Sequence, residues 1–161
     1  MQFAREVHAT QVRKYTGNPY VDHLAEVAGI VATVTERMNI AAPVAIAVAW
    51  LHDCVEDQGV TRPFLLNEFG IDVSVGVMFL SDLESGNRAE RKAASRARLA
   101  SASEWIQTIK VADLISNTSS IVKHDPKFAV VYLEEKRLLL DVLTKADPRL
   151  VAIARSHAEA S

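Results

Sequence analysis

Apolar residues recur along this chain at the spacing of helices. Between Tyr20 and Met38 the positions Leu24, Val27, Ala28, Val31, Val34 and Met38 fall every three or four residues, the stripe of an amphipathic helix. His23 sits on the edge of that stripe. The next segment, starting near Pro43, has a different pattern. Val44 to Leu51 is apolar on every side, and a helix apolar all round is a buried one. It ends in His52-Asp53-Cys54-Val55-Glu56-Asp57, an imidazole and three carboxylates at the edge of a core. Upstream, Gln2 to Lys14 reads as a helix with Phe3, Ala4, Val7 and Val12 inward, broken by the turn residues Gly17-Asn18-Pro19.

Downstream, Gly59 stops the buried segment, and Thr61 caps a short helix to Phe69 with Pro63 in its first turn. Gly70 precedes a helix from Asp72 to Leu83, and Ser85-Gly86-Asn87 is a loop. Arg88 to Ala100 is strongly cationic, and Arg88, Lys92 and Arg96 share one helical face. Ser101-Ala102-Ser103-Glu104 has the form of a capping box opening a long helix to about His124. Within it Asp113 interrupts the run Ile109-Lys110-Val111-Ala112-Asp113-Leu114-Ile115, and Asn117 follows one turn on. Pro126 begins a helix through Leu143, and Pro148 begins a last one. No segment alternates as a strand does. The pattern predicts one all-α domain over residues 1–161, a bundle of roughly eight to ten helices with short connections.

Composition narrows the function classes. Of the chain, 49% is apolar, with few glycines and prolines, so it can bury a substantial core. A net charge of −2 offers no basic field for nucleic acid, which makes the cationic stretch at Arg88 a local feature suited to a small anionic ligand. The lone Cys54 excludes an internal disulfide and reads as a core residue. No leader-like or membrane-length apolar run is present, so the expectation is a cytoplasmic protein without a membrane partner, for which a homo-oligomer is neither indicated nor excluded.

The polar residues that seem misplaced on apolar helices are His23, His52, Asp53 and Asp113. Buried charges are normally paired or bound to metal. Two imidazoles and two carboxylates suit manganese, iron or zinc better than the hard cations that prefer all-oxygen shells. Glu56 and Asp57 then become candidates to orient or deprotonate an attacking water. Spacing alone does not pick these four ligands out of five histidines and 20 acidic residues. His8, His124 and His157 read as ordinary structural or surface residues.

Three motifs together carry a resemblance. His8-Ala-Thr-Gln11-Val-Arg13-Lys14 with Gly17-Asn-Pro19-Tyr20-Val-Asp-His23, then His52-Asp53-Cys-Val-Glu56-Asp57, then Lys110-Val-Ala112-Asp113-Leu-Ile-Ser-Asn117 stand in order over positions 8 to 117. In this the chain resembles the HD-domain superfamily of metal-dependent phosphohydrolases. More narrowly it is similar to the hydrolase half of the RelA/SpoT alarmone enzymes in its stand-alone form. The resemblance implies an all-α fold and Mn(II) held by His23, His52, Asp53 and Asp113. It implies hydrolysis of the 3′-diphosphate of ppGpp or pppGpp to pyrophosphate and GDP or GTP, with Glu56 and Asp57 acting on the water. By the same resemblance the nucleotide meets Arg13, Lys14, Arg88, Arg91, Lys92, Asn117 and Tyr132. Leu24 stands where the family usually has proline, a departure that touches a helix start. Gln58 stands where threonine is common, Thr118-Ser-Ser-Ile differs from the long bifunctional enzymes, and Phe128 stands where an arginine would help the 5′-phosphates, positions that surround base and distal phosphates. By length, no synthetase half is expected alongside.

Two other classes fit parts of the pattern. A different HD phosphohydrolase, acting on ppApp, NADPH or another nucleotide phosphate, would share the metal set and differ in product. A non-catalytic nucleotide-binding module would have lost a ligand or one of the acidic pair, and none is lost.

Overall fold

In the computed structural model, which describes residues 1–159, the chain is all helical. The helices are α1 (Gln2–Val7), α2 (Tyr20–Ala32), α3 (Ala42–Leu51), α4 (Cys54–Gln58) and α5 (Arg62–Phe69). They continue as α6 (Ile71–Leu80), α7 (Arg88–Ser101), α8 (Glu104–His124), α9 (Pro126–Val142) and α10 (Pro148–Glu159). A 3₁₀ turn at Thr35–Arg37 follows α2. Among the described residues the one extended pairing is an isolated bridge between Val12 and Pro19. Among the described residues no helix is long and apolar enough to cross a membrane.

Helix α8 is the axis of the bundle, touching α2, α3, α6, α7, α9 and α10. Its Ile109, Val111 and Ala112 are wholly buried, which leaves Asp113 in the middle of the core. Against it lie the buried face of α2 (Leu24, Val27, Ala28, Val31), the stripe read from the sequence, and Ala45, Val48 and Ala49 of the all-apolar α3. Gly76 lets α6 come this close: a Cβ there would stand 2.6 Å from the Trp105 ring and 2.9 Å from Val48.

Several expected boundaries shift for local reasons. The first helix stops at Val7 and does not run to Lys14. Residues 8–19 form a loop closed by Arg13 N–H to Asn18 O at 2.8 Å and Tyr20 N–H to Gln11 O at 2.9 Å, so Val12 points outward and is exposed. The second helix ends at Ala32, before Met38, because the Thr33 and Thr35 hydroxyls donate back to the Ile30 and Ala32 carbonyls and compete with the ladder. The sixth ends at Leu80, and Leu83 is exposed beyond it. The capping box expected at Ser101–Glu104 is absent. Ser101 is the last residue of α7, Ser103 makes no side-chain cap, and Glu104 accepts the Asn39 amide at 3.0 Å. A reciprocal capping box forms at Asn87 and Glu90 instead and fixes the start of the cationic helix.

Candidate metal centre and adjoining cavity

Three places in the fold deliver polar groups to one buried point. Helix α2 carries His23, the α3–α4 junction carries His52 and Asp53, and α8 carries Asp113. His52 follows the last residue of α3 and Asp53 precedes the first of α4, so the pair occupies a break between helices and not a continuous turn. Gly59, at φ +66°, then closes α4 in the left-handed conformation that glycine adopts without strain.

The outer nitrogen of each imidazole is committed. His52 Nδ1 lies 2.8 Å from the Ala49 carbonyl, which can only accept, so Nδ1 carries the proton. His23 Nδ1 lies 2.8 Å from Ser116 Oγ. Ser116 spends its own proton on Glu26 Oε2 at 2.7 Å, so it accepts from His23. Both inner Nε2 atoms are therefore free to ligate, and both are buried without a hydrogen-bond partner. His23 Nε2 is 3.3 Å from Asp113 Oδ1 and 3.7 Å from Asp53 Oδ2; His52 Nε2 is 3.0 Å from Asp53 Oδ2 and 3.7 Å from Asp113 Oδ1. The ligating atoms of His23, His52 and Asp113 lie within 4.8 Å of one another.

Bare imidazole lone pairs facing carboxylate oxygens call for positive charge between them. Burial works against charging either ring, yet Asp113 and Asp53 outweigh it and lift both imidazole pKa values, His52 most. Burial likewise opposes ionising the two acids, but His52 beside Asp53 and Lys110 beside Asp113 hold both below the usual carboxylate range. A metal ion answers the same demand, and two nitrogens with two carboxylates are a fitting donor set. The acids are themselves anchored. Tyr20 OH donates to Asp53 Oδ2 at 2.6 Å, Lys110 Nζ to Asp113 Oδ2 at 2.8 Å, and Asn117 Nδ2 to Asp113 Oδ1 at 2.7 Å.

Glu56 and Asp57 lie on α4 just past the ligands. Glu56 Oε2 accepts the Asp82 amide at 3.0 Å, and Asp57 Oδ2 accepts Gln11 Nε2 at 2.7 Å. Desolvation raises the Glu56 pKa; the Asp82 amide opposes this, and the Asp82 and Asp53 charges add to it. Gln11 is held in turn by His8 Nδ1 at 2.6 Å. His8 is buried and stacks on Tyr20 at 5.4 Å, so it supports both Asp57 and Asp53.

From Asp113 a cavity of about 690 Å³, counting its open mouth, extends between α7, α8 and α9. Arg88, Lys92 and Arg96 line it from α7, as their four-residue spacing implied. Asn117 lines it from α8 and Tyr132 from α9, where burial pushes the phenol up to about 12. Arg88 already holds Glu135 through two bonds of 2.6 and 2.7 Å, and Lys92 holds Asp82 at 3.1 Å. Arg91 turns away to the Gly86 carbonyl. Arg13 approaches from the other flank, 3.2 Å from Asn117 Oδ1, and lines a separate groove with Glu26 and Lys123. Lys14 is exposed with its ammonium 5.0 Å over the Tyr15 ring, and it lines neither space.

Sequence reasoning missed Tyr20, Ser116 and Glu26, none of which is unusual in its local pattern. It also missed Lys136, which had a signal: Ala129, Leu133, Lys136 and Leu140 make one buried stripe along α9, with the lysine on it.

Comparison with known proteins identifies the family and the fold. The family model for the HD domain matches residues 1–112. Human guanosine-3′,5′-bis(diphosphate) 3′-pyrophosphohydrolase MESH1 is 30% identical over 126 residues, which cover 78% of this chain and 69% of that protein. A probable GTP pyrophosphokinase of Mycobacterium leprae is 38% identical over 120 residues, and the match spans only 14% of its length. A solved structure described as a metazoan ortholog of SpoT that hydrolyses ppGpp superposes with a TM-score of 0.87 at 25% identity, over 99% of this chain and 91% of that one. The Listeria monocytogenes protein lmo0812 shares the fold, with a TM-score of 0.70 at 21% identity over 89% of this chain and 96% of that one. The chain belongs to the HD-domain family, in the group that includes the RelA/SpoT-related alarmone hydrolases.

Proposed function

We propose that this chain is a single-domain, Mn(II)-dependent cytoplasmic hydrolase of guanosine alarmones. It removes the 3′-diphosphate of ppGpp or pppGpp as pyrophosphate and leaves GDP or GTP. One observation carries the reading: two buried, unpartnered imidazole nitrogens face two carboxylates at the end of a cavity lined by cations. The names of the human and metazoan relatives point to the same substrate.

In this reading His23, His52, Asp53 and Asp113 hold the metal, which when bound polarises a phosphoryl oxygen and acidifies water. The protein's own groups do the rest. The Glu56 carboxylate, with its pKa shifted toward neutrality, accepts the proton of the attacking water. Asp57, fixed by Gln11, orients that water. The water oxygen bonds to the phosphorus next to the ribose, and the 3′-oxygen leaves and takes up a proton. Lys92, Arg96 and Arg88 meet phosphate oxygens, Tyr132 and Asn117 flank the nucleoside, and Arg13 braces Asn117. Lys14 joins the site only if loop 8–19 rearranges around substrate.

The test is to incubate the protein and Mn(II) with ppGpp, ppApp and NADPH side by side and resolve the products by chromatography. Pyrophosphate with GDP is expected from ppGpp. Orthophosphate from NADPH with ppGpp left intact would overturn the reading.

A further inference from the structure

The cavity holds five cationic side chains against three carboxylates, and one cation, although buried, has no carboxylate partner among the described residues. Lys136 is 1% exposed, and among the described residues its ammonium makes one hydrogen bond, 2.7 Å to Thr118 Oγ1. Lys110, a partly buried lysine of the same cavity, is held charged by Asp113 and Asp82 against the effect of burial. An ammonium in the interior with a single neutral acceptor is costly unless an anion completes its shell. Thr118 does not need the lysine, because its own proton goes to the Leu114 carbonyl. Two of the three donors on the ammonium are thus unspoken for on a side chain that lines the cavity.

Position along α8 says which part of a nucleotide these donors reach. Thr118 is five residues past Asp113, roughly 7.5 Å along the helix axis. An anion held at Lys136 is therefore not the phosphoryl group at the metal centre but a second one on the same molecule. We infer that Lys136 binds the uncleaved phosphate chain of the substrate, the 5′-phosphates of an alarmone, and so selects nucleotides phosphorylated at both ends. The inference rests on the hydrolase reading for the identity of that chain. The affinity for a phosphate anion does not depend on it.

Burial also lowers the Lys136 pKa to about 8, so the proton is loosely held until an anion arrives. Charged groups facing the cavity are Glu135 on the same helix, Lys110 and Asp113 on α8, Arg88, Lys92 and Arg96 on α7, and Asp82 before α7; Tyr132 is the remaining titratable neighbour.

The test uses K136M and K136Q as neutral variants and K136R as the conservative one. Two readouts are needed: steady-state kinetics on ppGpp and on guanosine 3′-diphosphate with a free 5′-hydroxyl, and calorimetric binding of inorganic pyrophosphate. A charge-assisted hydrogen bond is lost in the neutral variants, so KM for ppGpp should rise roughly tenfold or more, while kcat changes by less than about threefold. The KM penalty should vanish on the 5′-hydroxyl substrate, the pyrophosphate Kd should rise, and K136R should stay near wild type. Unchanged KM and Kd in the folded neutral variants would overturn the inference. Failure of both neutral variants to fold would overturn it too, by making the lysine a structural strut. If no 3′-diphosphate is hydrolysed yet pyrophosphate binding still depends on Lys136, the hydrolase reading fails and the anion site stands.

Discussion

The candidate metal centre and the cationic cavity share Asp113 and are built in opposite ways. At the centre each side chain is anchored by the protein: His52 by a backbone carbonyl, His23 by Ser116 and through it Glu26, Asp53 by Tyr20, Asp113 by Lys110 and Asn117. Only the inward nitrogens are left bare. In the cavity the reverse holds, since Arg88 and Lys92 face the protein's own Glu135 and Asp82. The first arrangement is preorganised and loses little order when a ligand arrives. In the second, a ligand must compete with internal carboxylates, so part of its binding energy goes into replacing ion pairs.

The sharpest way to break this contrast is at the centre. H52A or D113A should bring bound manganese, read by elemental analysis, and turnover to background together. Metal retained at wild-type level in either variant would remove that residue from the ligand set. Next in size is the acidic pair. E56Q combined with D57N should keep its metal and lose roughly 10²–10⁴-fold in kcat. With Glu56 raised by desolvation, kcat/KM of the wild type should fall as pH drops through a value above that of an ordinary glutamate, and E56Q should not show this limb. S116A probes the support of His23 alone. It should weaken manganese binding by about 10- to 100-fold without abolishing it.

These groups were unequally legible in the sequence. Asp113, His23 and the His52-Asp53 pair stood out because charge on an apolar helix violates the pattern that builds the core. Ser116 and Glu26 violate nothing: a serine and a glutamate on amphipathic helices are ordinary until tertiary packing brings α2 against α8. The loop that ends α1 was hidden for a similar reason. Val12 continues an apolar period, but its exposure and the bridge to Pro19 follow from hydrogen bonds that its neighbours Gln11 and Arg13 make to Tyr20 and Asn18. The capping box was misplaced because Ser101 and Glu104 have the right spacing, while Asn87 and Glu90 have the right backbone.

On the cavity side the effects should be smaller. R88M should raise KM for ppGpp by severalfold at most, because its guanidinium is divided between substrate and Glu135. E135Q should lower KM by releasing Arg88, a direction that would not be seen if the pair were only a surface brace. An unchanged KM in both would return α7 to a solvated face.

Lys136 gives the last and finest test, because it sets stability against binding. Its pKa falls from 10.5 in a free lysine to about 8 in the fold. Below pH 8 both folded and unfolded chains carry the proton, and the fold bears the whole cost of the buried charge. Between pH 8 and 10.5 the folded lysine is neutral while the unfolded one is still charged, so the unfolded chain binds more protons and stability rises with pH. The cost below pH 8 is of the order of 3 kcal/mol as an upper bound, since each pKa unit is worth about 1.4 kcal/mol. K136M should therefore melt a few degrees higher than wild type at pH 7, and the gap should close by about pH 10.5. Saturating pyrophosphate at pH 7 should narrow the gap as well, because it stabilises only the chain that keeps the ammonium. A K136M protein that melts lower than wild type at pH 7 would mean the lysine is already compensated within the fold, and the cavity would then have no charge left waiting for a ligand.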